Sequence, residues 1–174
     1  MKSKLLILTL LLAIRGQAAD ERSELAAGRA YYQQGDFKQA TVHLRRAIRI
    51  DPENPEVNYW AGMAFQGLSD IAAPFGGRYN SKAAVFLTKA VDLAPGRQDY
   101  RRELFDFLLE SARSSPARLR MAADLVRRTP ESDPEYGFMR LRLDRERGAT
   151  LSVEARFDRL FMALPQTAVR VLPQ

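Results

Sequence analysis

Apolar residues recur along this chain at three- and four-residue spacings, and no stretch alternates apolar and polar positions for long enough to build a sheet. Ala40, Leu44, Ala47 and Ile48 form one helical stripe, and Ala83, Leu87, Ala90 and Val91 repeat it 43 residues later. Gly28, Ala30 and Tyr31 recur as Gly62, Ala64 and Phe65, displaced by 34. Two offsets, each constant within its own segment, describe a duplicated helix pair whose second copy has nine residues inserted between its helices. Pro52 and Pro95 follow the two stripes, and Pro130 and Pro165 continue at intervals of 35, behind the apolar pairs Leu125-Val126 and Leu160-Phe161. The pattern predicts helices over 20–34, 37–50, 55–68, 81–94, 98–113, 116–128, 134–147 and 152–163. Asn54-Pro55, Ser115-Pro116 and Asp133-Pro134 each pair a capping side chain with a proline suited to a first helical turn. Gly148 suits the left-handed stop of the seventh helix.

The stretch Gly28, Tyr31, Gly35-Asp36-Phe37, Ala40, Leu44, Ala47-Ile48 and Pro52 resembles one tetratricopeptide (TPR) repeat. In that 34-residue pattern a small residue lets two antiparallel helices approach, an aromatic fills the gap and a proline closes the second helix. The resemblance implies an all-α, right-handed helical-hairpin solenoid of about four TPR-like units, the last two degenerate. The units fall at 21–54, 55–97 with the insertion near 69–80, 98–131 and 132–166, with a tail at 167–174. Phe105 stands where the third unit should carry Gly, and Ala117 or Arg118 where it should carry Ala. One hairpin cannot bury its apolar stripe alone, so neighbours must supply the missing face, with Leu44, Leu87 and Phe157 in equivalent interior places.

The resemblance also implies a non-catalytic scaffold that binds a protein or peptide in a groove lined by the first helix of each unit. Counted onto this chain, the groove positions are Arg22, Leu25, Arg29, Tyr32 and Gln33, then Glu56, Tyr59, Met63 and Gln66, then Asp99, Arg102, Asp106 and Leu109. The family's clamp for peptide C-termini wants Lys and Asn where Leu25 and Arg29 stand, and basic residues where Asp99 and Glu103 stand, so that mode is not expected. Trp60 falls between groove and core and suits either duty. In the insertion, Phe75 is expected to fold back on the hairpin while Gly76-Gly77 turn Arg78 and Tyr79 towards a partner; the bland alternative is a tolerated surface loop.

Composition adds limits. The 174 residues, 46% hydrophobic and 28% charged, suffice for a folded core. Without Cys there are no disulfides, thiolate metal sites or cysteine nucleophiles. Lys2 and Lys4, the ten-residue apolar run Leu5 to Ile14 and the small residues around Gly16-Gln17-Ala18 form a bacterial secretory leader pattern over 1–18. That run is short of the roughly 20 residues that span a bilayer, so a cleaved leader and a periplasmic or secreted protein are expected, the alternative being a membrane-tethered envelope assembly factor if the leader stays uncut. Of the 27 basic residues Lys2, Lys4 and Arg15 lie in the leader, leaving 24 against 21 acids, a balance too mild for a nucleic-acid partner.

No catalytic constellation is legible. His43 is the single histidine and shows no partner in its local sequence, and Gly76-Gly77 with Lys82 lacks both the spacing and the strand of a phosphate loop. Asp51 with Glu53 and Asp133 with Glu135 read as helix-boundary caps. No cofactor and no metal are therefore expected, and an enzyme or enzyme accessory with a cryptic site is the weaker alternative. Phe157, Leu160, Phe161 and Leu164 of the last helix offer an apolar edge for self-association unless the tail Ala168 to Leu172 covers it.

Overall fold

The computed structural model describes residues 2–113 and 115–147, with side chains over 18–112 and 115–147. Its elements are α1 (Lys2–Gln33), α2 (Phe37–Ile50), α3 (Pro55–Ile71), α4 (Gly77–Leu93) and α5 (Gln98–Glu110), a single 3-10 turn (Ser111–Arg113), α6 (Pro116–Arg128) and α7 (Tyr136–Glu146). The described residues are all-α and form successive helices joined by short turns, as their periodicity predicts. Its described residues divide into two compact units, parting between Leu104 and Phe105.

In the first unit α1 packs on α2, α2 on α3 and α3 on α4. The two sequence offsets meet in space here. A Cβ on Gly28 would lie 2.5 Å from Leu44 Cγ, and one on Gly62 would lie 2.6 Å from Leu87 Cγ, so each glycine admits the leucine of the partner helix. Leu44, Ala40, Ala47, Val57, Ala61 and Ala64 are fully buried around this contact, with Leu25 beside them. Gly35, at φ 77°, turns the chain from α1 into α2, a backbone region that glycine enters without strain. Asp36 accepts the Gln39 amide at 3.0 Å, and Asn54 accepts those of Glu56 and Val57 at 2.9 and 3.2 Å. These side chains start α2 and α3 by satisfying amides that have no intrahelical acceptor.

The insertion is mostly helix rather than loop. α3 runs on to Ile71 and α4 begins at Gly77, so only the segment 72–76 connects them. Glycine is needed at Gly76, where a Cβ would sit 2.3 Å from the Ser69 carbonyl oxygen. The Ser69 hydroxyl donates back to the Gly76 carbonyl at 3.2 Å. Phe75 does not fold back on the hairpin: it is 87% exposed, because the Phe75 amide bonds the Ala72 carbonyl at 2.8 Å and the turn directs the ring outward.

In the second unit Phe105, Phe107, Leu108, Ala122, Leu125, Val126, Met139 and Leu143 are buried, and α6 packs on α7. Phe105, at the sequence position that glycine holds in the first two hairpins, is 1% exposed. Ser115 occupies the cap position of α6, but its side chain makes no capping bond. Asp133 accepts the Glu135 amide at 2.9 Å in a turn that precedes α7, so that helix starts at Tyr136 rather than at Pro134. α1 begins at Lys2 rather than near residue 20, as an apolar run without proline permits. Among the described residues no helix is long and apolar enough to cross a membrane. Gly148, the predicted helix over 152–163, Phe157, Leu160, Phe161, Leu164 and the tail lie outside the described residues.

Candidate partner-binding face

The first helices of the hairpins, α1, α3 and the start of α5, carry a connected row of aromatic side chains in the first unit. Tyr32 and Tyr59 each meet Trp60 edge-on, with ring centroids 5.4 Å apart in both pairs. Tyr59 then stacks on Tyr100 at 4.4 Å, with the planes 16° apart. Tyr32, Tyr59 and Trp60 are half-buried, whereas Tyr100 is 2% exposed and closes the row against the core. Each step joins residues on neighbouring first helices or on adjacent positions of α3, so the row runs across the repeats rather than along one helix.

Charged pairs flank it. The Arg29 guanidinium lies 5.1 Å from the Trp60 ring centre and donates to Glu56 at 2.9 Å. Arg97 sits 4.2 Å over Tyr100 and donates to both Asp99 oxygens, at 2.8 and 2.6 Å. That bidentate bond holds the Asp99 carboxyl below the usual carboxylate range. Burial, reinforced by Glu103 and Asp99, pushes the Tyr59 hydroxyl up to about 12. Burial also raises Tyr32, with Glu103 and Asp70 adding to it. At neutral pH the row therefore presents protonated phenols, able to donate as well as to pack.

The predicted groove residues separate on this geometry. Arg29, Tyr32 and Tyr59 are brought together through Trp60, while Met63 and Gln66 are half-buried on the following turns of α3. Arg22, Gln33 and Arg102 are exposed on α1 and α5. Leu25 is 9% exposed and packs in the core, because its position on α1 faces α2 and α3; it is a packing residue rather than a contact surface. Leu109, at 7% exposure, is likewise core. Asp106 belongs to the second unit, in a close ion pair with Arg142, and is not part of the aromatic row. Arg78 and Tyr79 form a separate group on α4. Arg78 is exposed and donates to the Tyr79 hydroxyl at 3.0 Å, while Tyr79 is half-buried, stacked 6.4 Å from Phe65.

Three features escaped the sequence reading. Arg97, just before α5, and Tyr100, in its first turn, join the row, and their three-residue spacing was the available signal. His43, read as unsupported, has partners: its Nδ1 lies 2.7 Å from Glu24 Oε2, its ring stacks on Tyr31 at 5.1 Å, and Arg46 approaches the other Glu24 oxygen at 3.6 Å. The contact between Gly28 and Leu44 could have located this cluster, since Glu24 is one turn before Gly28 and His43 adjoins Leu44. A histidine–carboxylate pair can orient a ring, but no nucleophile is placed against it by the contacts described. The second unit carries an open depression of about 280 Å³ lined by Leu109, Glu110, Arg142, Arg145 and Glu146, with two charges of each sign.

Residues 28–69 match the TPR repeat family. The match spans most of the first predicted unit and most of α3 of the second, so it contains Tyr32, Tyr59 and Trp60. Repeats of this kind generally mediate contacts between proteins. Among solved structures, one from the functional characterization of Pseudomonas aeruginosa pilF is similar, at 19% identity and a TM-score of 0.34, covering 87% of this chain and 79% of that one. No curated protein matches the chain.

Proposed function

We propose that the first unit is a non-catalytic scaffold that holds an extended or helical segment of another protein along the row Tyr32, Trp60 and Tyr59. The observation that carries this reading is the row itself: three half-buried aromatic rings joined through Trp60, rimmed by Arg29 and Glu56. Rings of this kind supply large contact area at little conformational cost, and their hydroxyl and indole groups fix orientation. Arg22, Gln33, Met63, Gln66 and Arg102 extend the face with adaptable or charged side chains.

Trp60 is the chain's single tryptophan, which makes its emission a direct reporter of occupancy. Peptides selected from a random library against the full chain should shift that emission. Tyr59→Ala with Met63→Ala should weaken the selected peptides by roughly 2 kcal/mol or more, as central anchors do. Selected peptides that leave Trp60 emission unchanged and bind the double variant equally well would place the binding surface elsewhere.

We further propose that the protein is exported across a bacterial membrane and acts in the periplasm or outside the cell. The support is the leader pattern of Lys2, Lys4 and the apolar run Leu5 to Ile14. Sequencing the N-terminus of the protein recovered from its native cells tests this, with a start near Ala19 expected and an intact Met1 against it.

A further inference from the structure

We propose that the turn between α3 and α4 is a membrane-surface site: Ile71 and Phe75 enter the boundary of a bilayer while Arg78, Lys82 and Lys38 face its anionic headgroups. Ile71, the last residue of α3, and Phe75, on the turn of five residues that follows, are 69% and 87% exposed, the two most exposed large hydrophobic side chains of the described chain. The turn is built to hold them there. Phe75 bonds the Ala72 carbonyl, Tyr79 and Asn80 both bond the Gly76 carbonyl, and the Ser69 hydroxyl ties the end of α3 to the same oxygen. Gly76 is buried against Ser69, so the tip is braced from below while its apolar side chains remain in water.

Cations follow the tip on α4. Arg78 is the second residue of that helix, three positions after Phe75, and Lys82 lies one helical turn further, a rise of about 5 Å, with its ammonium 5.2 Å over the Phe65 ring. Lys38, at the start of α2, is close enough to act on the Tyr79 hydroxyl together with Lys82 and Arg78. Asp70 on α3 and Asp36, which is bonded to the Gln39 amide, are the acids at this end. An apolar tip followed by cations in the first two turns of α4 suits an interfacial site, in which apolar groups sink roughly 5–10 Å past the phosphates while cations stay at the headgroups. Shape favours the bilayer over a protein partner. A convex knob of two side chains needs a complementary pocket on a protein, whereas fluid lipid closes around it. The site is separate from the aromatic row and does not depend on it.

The absence of cysteine allows a single label to be placed at will. A nitroxide on Ile71→Cys of the full chain reports depth at the tip, and one on Gly96→Cys, where a Cβ meets open space, serves as the control. Vesicles of equal parts phosphatidylglycerol and phosphatidylcholine should move the label at 71 into the lipid, with oxygen collisions rising and aqueous nickel collisions falling, while the label at 96 stays aqueous. Phe75→Asp with Lys82→Glu should lower partitioning about tenfold or more, the scale of losing one buried ring. A label at 71 that stays aqueous on vesicle-bound chain would show that the apolar segment 5–14 alone holds the protein, and would overturn the proposal. Equal insertion into pure phosphatidylcholine would remove the role of the cations. Immobilisation of the label without vesicles, rising with protein concentration, would make the tip a contact between copies instead.

Discussion

At the scale of single residues, the glycines divide by what stands opposite them. Gly62→Ala pushes a methyl to 2.6 Å from Leu87 Cγ and 3.1 Å from its backbone nitrogen, so relief requires α4 to move as well as a side chain. Overpacking of this kind costs about 1–3 kcal/mol, and chemical denaturation should read that loss. Gly77→Ala meets nothing within 4 Å at the first position of α4 and should instead stabilise by about 0.4–1 kcal/mol, chiefly by restricting the unfolded chain. The close contacts of Gly28 and Gly62 were legible because two constant offsets named both partners in advance. The pairing of His43 with Glu24 was not, because it joins side chains on separate helices that no single-helix periodicity relates. Tyr59 makes a second residue-scale prediction. Its folded hydroxyl is raised to about 12 against an ordinary 10, so between those values the folded state holds more protons than the unfolded. Stability is therefore lost as pH rises from 10 towards 12. Tyr59→Phe should flatten that alkaline decline in a series of thermal melts, and an unchanged decline would assign it to other groups.

At the scale of elements, capping sequences were legible as types but not as strengths. Asn54 and Ser115 both precede a proline and both occupy the cap position, yet only Asn54 closes amide bonds, and its own amide reaches Glu21 at 2.9 Å. Asn54→Ala should cost about 1–2 kcal/mol, while Ser115→Ala should change stability by only a few tenths. Comparable losses from the two would mean that the Ser115 hydroxyl caps in solution. The insertion was misread for a related reason. Pro74 and Gly76-Gly77 are turn residues by composition, but the turn they make spans only 72–76, and the residues on either side extend α3 and α4. Removing 74–79 would therefore take the first turn of α4 and the Tyr79 ring that covers Phe65, so a loss of helicity is expected by circular dichroism.

At the scale of the whole molecule, contacts between successive helices dominate within each unit, α1 to α4 packing in sequence order in the first and α6 on α7 in the second. Each unit also has a buried cluster of its own, around Leu44 in the first and around Leu125 in the second. The family pattern was legible only in the first unit, where glycine, leucine and proline keep their places. In the second, Phe105 replaces the glycine, and burial of Phe107, Met139 and Leu143 follows no offset shared with the earlier hairpins. Leu44→Ala removes a side chain with no exposed surface and should cost about 2–5 kcal/mol through lost burial and the cavity left behind. In a chain built from neighbour contacts, stability is distributed rather than uniform, and local opening follows the damaged cluster. Amide exchange in Leu44→Ala should accelerate over α1 to α4 before it does over α6 and α7, and Leu125→Ala should show the reverse order. Uniform acceleration along the chain in either variant would show that the described residues open as one cooperative block, and that burial around Leu44 and Leu125 is energetically shared.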